Sequence, residues 1–312
     1  MNRHGLVTAK WLTQGPLTIP GVVDIVTHYS QHLEGRCVMT LKGHTGGVNA
    51  VAALPNGHLA SASTDRTVRV WDSVRGVCVR KLVGHTRMVS DVVVLRDGNL
   101  ASGSKDNTIR VWNSSNGACM RVIDTCTEMV FTLLVLPNGC LVSGSVCGSV
   151  KIWNVDTGAC LDTFDSGAAV YRLALTPAAI LIICALEGQV FLYDPHRFKL
   201  LHTLRQQAND VAVFTNSKFA MTLVDDHHVY ISDASDGTHD KLFGHTDEVN
   251  AMVVLPDGEL ASGSDDATVR VWSGRECRLT LTAHSKDVNA LCVLRDGRLA
   301  SASDDRTVRV WA

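Results

Sequence analysis

Four sets of a histidine, a serine and an aspartate recur along the 312-residue chain: His44, Ser61 and Asp65; His85, Ser102 and Asp106; His245, Ser262 and Asp266; His284, Ser301 and Asp305. These are the residue types of an acyl-transfer triad, in which the histidine takes the serine proton and the carboxylate orients the ring. An enzyme needs one such site, and here the spacing returns four times. A tryptophan also follows each set at a fixed distance: Trp71, Trp112, Trp272 and Trp311. A buried indole N–H needs an acceptor. The serine hydroxyl can accept it and donate onward to the imidazole. The other ring nitrogen can donate to the aspartate, which also suits a tight turn. A structural relay uses all four residues, whereas hydrolysis uses three. The chain is therefore expected not to be an enzyme.

Other groupings with chemical potential are sparse. His28 and His32 stand four apart and could share a metal, but no third ligand is evident and the glutamate of a His-Glu-x-x-His motif is missing. They read as surface histidines. No phosphate loop or dinucleotide fingerprint is present, so neither a metal nor a cofactor is expected. Of the ten cysteines, Cys37, Cys78, Cys119 and Cys160 are equally spaced, one per successive unit. Equivalent slots of different units do not meet at disulfide distance. They read as small buried hydrophobes in a reducing compartment. No signal-peptide pattern is evident, and no run approaches the ~20 apolar residues of a membrane helix. A cytoplasmic or nuclear location without membrane contact follows as the expectation.

The balance of 29 basic and 31 acidic residues leaves a net charge of −2. That provides no basic excess for a phosphate backbone, which argues against nucleic acid as a partner. The charged fraction of 19% is below the usual level of about 25%, as expected of many short strands covered on both faces. The length exceeds what one ordinary core supports, so the chain is two domains or a repeat with a distributed core.

Self-comparison decides between these. Residues 43–71 read GHTGGVNAVAALPNGHLASASTDRTVRVW, and 84–112, 244–272 and 283–311 repeat the pattern with the same His-to-Trp spacing. Pro-Asn-Gly or Arg-Asp-Gly separates β-rich runs as a hairpin turn would. Three weaker units, 125–153, 166–193 and 206–233, keep the period. Four short strands per unit, with Gly-His and Trp-Asp signatures, are the propeller-blade pattern.

Over nearly all of residues 36–312 the chain resembles the WD40-repeat family. That resemblance implies an all-β, seven-bladed β-propeller over residues 35–312. Residues 1–34 form an N-terminal extension, in which Val22, Ile25, Val26, Tyr29 and Leu33 recur at the spacing of a short amphipathic helix. The last unit ends at Trp311-Ala312, before a fourth strand, and GRCVMTLKGH at 35–44 matches GVCVRKLVGH at 76–85. Residues 36–42 should thus complete the last blade and close the ring, removing an exposed sheet edge.

The four sets with their tryptophans match the family's Asp-His-Ser-Trp network. The three weaker units have lost it: Cys147 stands in one Asp slot, Ile183 and Glu187 in the Ser and Asp slots of the next, and the last keeps Thr222 and Asp226 without a Trp. Four intact blades should therefore face an arc of three degenerate ones. The resemblance also implies three slots per blade pointing onto the top face around the channel. In chain order they hold Gly47, Asn49 and Thr64; Met88, Ser90 and Lys105; Met129, Phe131 and Val146; Ala169, Tyr171 and Leu186; Asp210 and Asp225; Glu248, Asn250 and Asp265; and Asp287, Asn289 and Asp304. One arc is apolar and aromatic and the other acidic.

The function expected is a non-catalytic scaffold or adaptor, monomeric within a larger complex. It would bind a peptide or domain with an apolar anchor and basic flanks on the top face. The alternative is the substrate-recognition subunit of a ubiquitin ligase. The acidic arc argues against capture of a phosphopeptide, which needs arginine clusters. Trp272-Ser273-Gly274-Arg275 carries Ser where an adaptor-docking Trp-Asp-x-Arg segment has Asp.

Overall fold

In a computed structural model of the protein, the described residues are 33–312 apart from 127, 187–188, 206–207, 215–217, 224–225 and 234–238, with 204, 205, 233 and 239 described in their backbone alone. The helix expected over Val22 to Leu33 lies outside them, apart from Leu33 itself.

All regular structure among the described residues is β-strand. In the first blade, Val48–Ala53 and Leu59–Ser63 flank Pro55-Asn56-Gly57. Gly57 takes φ 85° there, and its N–H returns to the Leu54 carbonyl at 3.0 Å, a turn that costs glycine no steric strain. A second turn leads into Thr67–Asp72, and Val77–Val83 forms the outer strand. Seven four-stranded antiparallel sheets share this order. Their inner strands touch in sequence right round the ring, Val288–Val293 meeting Val48–Ala53, which makes a closed seven-bladed propeller.

The core is shared between blades, because no unit can bury its faces alone. Leu59–Ser63 and its counterparts Leu100–Ser104, Leu260–Ser264 and Leu299–Ser303 are buried at every residue. Their small side chains admit the next blade: a Cβ on Gly103 would sit 2.5 Å from Val130. Trp71 of the first blade packs with Leu41, Ala300 and Val308 of the last, and Trp112 packs with Ala60 and Val68 of the first.

The strand Cys37–Lys42 pairs antiparallel with Thr307–Trp311. Arg36 and Ala312 exchange backbone hydrogen bonds of 3.1 and 3.0 Å. Leu33, 5% exposed, packs beside Leu281 and Trp311, and its carbonyl accepts Arg278 Nη1 at 2.8 Å.

The equally spaced cysteines are not buried hydrophobes. Cys78, Cys119 and Cys160 are exposed, and Cys37 is half-buried. They lie on the outer strands, which form the rim: of Val77–Val83, only Leu82 is buried. All ten cysteines are free thiols.

Candidate functional site at the channel mouth

The four Ser-His-Asp-Trp sets come together as relays of one geometry. Trp71 Nε1 donates to Ser61 Oγ at 2.7 Å, Ser61 Oγ lies 2.7 Å from His44 Nε2, and His44 Nδ1 lies 2.7 Å from Asp65 Oδ2. The relays of Trp112, Ser102, His85 and Asp106, of Trp272, Ser262, His245 and Asp266, and of Trp311, Ser301, His284 and Asp305 keep every link between 2.7 and 2.8 Å. The serines are fully buried, so no substrate carbonyl can reach them. Burial holds the imidazoles of His85 and His284 below their usual range, against the pull of Asp106 and Asp305. A neutral ring then accepts from serine and donates to aspartate.

The aspartate fastens the turn at the top of the blade. Asp65 Oδ1 accepts the Thr67 amide at 3.0 Å and the Thr67 hydroxyl at 2.6 Å, while Oδ2 accepts the Thr45 amide at 3.1 Å. Burial alone would raise the carboxyl pKa, but His44 and these hydrogen bonds hold it far below the ordinary carboxylate range. Arg66, held in this turn, takes φ 69°.

The degenerate blades have rebuilt the vacated space. Trp153 Nε1 still reaches Ser143 Oγ at 2.8 Å, but Lys151 and Glu128 replace histidine and aspartate with a 3.2 Å ion pair. Lys151 Nζ also donates to the Thr125 carbonyl at 3.1 Å, and Ser149 Oγ donates to Glu128. In the next blade Ile183 is buried where serine would stand, and Tyr193 donates to Asp162 and packs against Phe164 at 5.4 Å; Glu187 is outside the described residues. In the last, Asp226 takes a contact from His228 and a 2.7 Å hydrogen bond from Tyr230.

The top face is organised by a bulge. In every inner strand the pairing register skips one residue. The extra residues are Asn49, Ser90, Phe131, Tyr171, Asn209, Asn250 and Asn289. A bulge re-aims the side chain it frees, and all seven line a cavity of about 170 Å³ at the channel mouth. Asparagine bridges blades here: Asn49 Nδ2 donates to the Val89 carbonyl at 2.7 Å, Asn209 to Val249 at 3.2 Å and Asn289 to Val48 at 3.1 Å. Phe131 and Tyr171 replace that bridge with ring stacking, centroids 5.4 Å apart and planes at 20°.

The remaining slots flank this ring. Backbone hydrogen bonds set Lys105 beside Met88, Val146 beside Met129, Leu186 beside Ala169, Asp265 beside Glu248 and Asp304 beside Asp287. Met88, Met129 and Leu186 are half-buried, Tyr171 is 44% exposed, and Lys105 Nζ lies 5.1 Å from the Phe131 centroid. Opposite, Asn209 donates to Glu248 at 3.0 Å, Asn289 to Asp304 at 2.8 Å, and Asn250 to Asp265. Burial raises the Asp265 pKa, and Asp287, Asp247 and Asp304 add to it by repulsion. Gly47 gives Asp304 room, since a Cβ there would lie 2.3 Å from its Oδ1.

Asp210 does not belong to this acidic arc. It is 1% exposed, one residue past the bulge, where Arg172 donates to it at 2.7 and 3.3 Å and the Met252 amide at 2.6 Å. The mouth position of its blade is Asn209, and Asp225 lies outside the described residues. A slip of one residue in a strand reverses the face a side chain takes. Asp91 holds the matching place in the second blade and accepts the Leu133 amide at 2.7 Å. Burial pushes its pKa up to about 6. Below the mouth the channel continues as a cavity of about 450 Å³, in which Asp91 and Arg172 are the charged lining groups. Sequence reasoning named neither.

A family model described as WD domain, G-beta repeat, matches residues 35–72, 76–113, 117–154, 234–273 and 275–312. The unmatched stretch between 154 and 234 is that of the two most altered blades. The chain is 54% identical over 39 residues to nuclear distribution protein nudF 2 of Penicillium rubens, covering 12% of this chain and 8% of that protein. It is 31% identical over 103 residues to the WD repeat-containing protein 55 homologs of Drosophila simulans and Drosophila melanogaster, covering 31% of this chain and 21% of each. The chain therefore spans about a fifth or less of the curated relatives it matches. With more than half of its residues in the five family matches and seven blades built alike, the chain belongs to the WD40-repeat family.

Proposed function

We propose that this propeller is a non-catalytic interaction platform whose partner docks on the top face, over the channel mouth. Propellers of this family generally bind other proteins, and the fold is typically non-catalytic. The observation that carries the reading is the stacked Phe131–Tyr171 pair at the channel mouth, bordered by Met88, Met129 and Leu186 and facing Glu248, Asp265, Asp287 and Asp304. Exposed aromatics beside apolar neighbours characterise recognition surfaces. The partner presents an apolar anchor to the aromatic side and basic residues to the acidic side. The exposed free thiols Cys78, Cys119 and Cys160 fit a reducing compartment, cytoplasmic or nuclear.

Affinity purification from source cells tests this. Phe131→Asp combined with Tyr171→Asp should abolish capture of the main partner while the melting temperature moves by only a few degrees. Asp265→Lys with Asp304→Lys should weaken capture more at low salt than at high salt. Capture of the same partners by the aromatic double variant would move the interface elsewhere.

A further inference from the structure

We propose that Asp226, His227 and His228 form a binding site for a divalent transition-metal ion, zinc by preference. The site lies in the fifth blade, between the strands Lys218–Leu223 and Val229–Asp233, and is independent of how a partner docks.

The intact blades show why this turn differs. Each of them holds an imidazole–carboxylate pair but seals it: the histidine side chains are at most 1% exposed and the aspartates at most 7%. A serine also occupies the second ring nitrogen. The fifth blade rebuilds the pair from within the turn. Asp226 Oδ1 accepts the His228 amide at 3.0 Å and meets His228 Nδ1. Thr222, in the serine slot, accepts the Asp210 amide instead. The pair thereby reaches the surface, with His228 14% and Asp226 24% exposed. A second imidazole stands beside it. His227 is exposed, its ring centroid 4.0 Å from that of His228. One ligand atom from each of the three residues lies within 4.8 Å of the others.

Two imidazoles and a carboxylate are a donor set that suits zinc, with a fourth position left to water. Calcium and magnesium prefer oxygen ligands alone. At bond lengths of about 2.0 Å, the ligand atoms of a tetrahedral zinc stand about 3.3 Å apart. The exposed His227 ring can swing to close the difference, while Phe243 packs edge-on against His228 at 5.0 Å and steadies that ring. A metal between Asp226 Oδ1 and His228 Nδ1 displaces the proton they share, and the neutral ring then carries its proton on Nε2. The other carboxylate oxygen is already taken: Tyr230 donates to Oδ2 at 2.7 Å, and Lys241 Nζ lies 4.0 Å from it. Lys241 opposes the ion by its charge, which sets a direction for one variant.

The test titrates the tag-free full chain, stripped of metal by a chelator and kept reduced, with zinc chloride by isothermal calorimetry. One equivalent should bind with micromolar affinity. His227→Ala and His228→Ala should each weaken it about tenfold or more. Lys241→Met should tighten it several-fold, since a like charge is removed. Cobalt(II), as a spectroscopic stand-in, should give visible bands without the intense sulfur charge-transfer absorption that exposed thiols would add. The absence of saturable zinc binding, an affinity unchanged in His227→Ala, weaker binding in Lys241→Met, or a sulfur charge-transfer band overturns the proposal.

Discussion

The blades ending at Trp71, Trp112, Trp272 and Trp311 and those ending at Trp153, Tyr193 and Ser232 reach one architecture by different means. In the first group a buried relay of four side chains ties the segment before the inner strand, the second strand, the turn and the third strand together with near-identical distances. In the second, each blade satisfies the same space in its own way: a lysine–glutamate pair, a tyrosine–aspartate contact among phenylalanines, an aspartate held by a neighbouring histidine. What the fold requires is that the buried polar positions be satisfied, and the residue types are one solution among several. The aromatic pair of the mouth arises where the relay has been lost, in the blades of Trp153 and Tyr193. Loss of the repeat consensus and gain of a distinctive surface coincide there.

The comparison breaks most sharply at the seam. Deleting residues 1–42 removes the outer strand of an intact blade and the Leu33 contact with it. The product should be insoluble or melt far below the parent, as read by differential scanning calorimetry. A truncated protein as stable as the full chain would deny the seam any part in the stability of the intact arc.

The next effect compares serines. Ser262→Ala leaves both Trp272 Nε1 and His245 Nε2 without a partner, at about 1–3 kcal/mol for each group stranded. Ser143→Ala in the blade of Trp153 leaves only the indole stranded, since no histidine is present there. Urea unfolding should show the first variant losing roughly twice as much stability as the second. Equal losses would mean that the serine–histidine link contributes nothing.

The smallest effect is a pH dependence. Asp65 and Asp266 titrate well below an ordinary carboxylate in the folded state. A carboxylate depressed in this way contributes stability at and above its unfolded pKa of about 3.9, and the contribution is lost as pH falls below that value. Unfolding free energy should therefore drop on acidification below about pH 4. Asp266→Asn, less stable at neutral pH, should drop less, having lost one such carboxylate. Parallel curves for parent and variant would show that Asp266 is not depressed.

The fold was legible because the repeat is written in residues that must recur: turn glycines, the small buried second strand and the four relay members. The mouth was legible where those markers, or in the fourth blade the Tyr193-Asp194 that stands for Trp-Asp, fixed the register. In the fifth blade no Gly-His or Trp anchors the count, so spacing alone points to Asp210 as the mouth residue in place of Asn209, and the bulge turns that one residue into the opposite face. Spacing marked the cysteines as one slot but carried no sign of which side of the sheet that slot faces. The lysine–glutamate replacement had a readable signal: Lys151 replaces the arginine of Arg69 and Arg110 in the blade that lost histidine and aspartate.

The seam also sets an order of events. Cys37 and Arg309, in contact across it, are 272 residues apart in sequence. During synthesis the strand Cys37–Lys42 leaves the ribosome long before its partner Thr307–Trp311 is made. Until then the first strand has an unpaired edge and six blades stand as an open arc, so the nascent chain is open to aggregation and to strand exchange with a second copy. The entropy of closing so long a loop grows only with the logarithm of its length. Delay in meeting its partner, more than the free energy of closure, is then the hazard, and slowed translation just before Thr307–Trp311 should lower the yield of soluble protein more than an equal pause just before Cys37–Lys42.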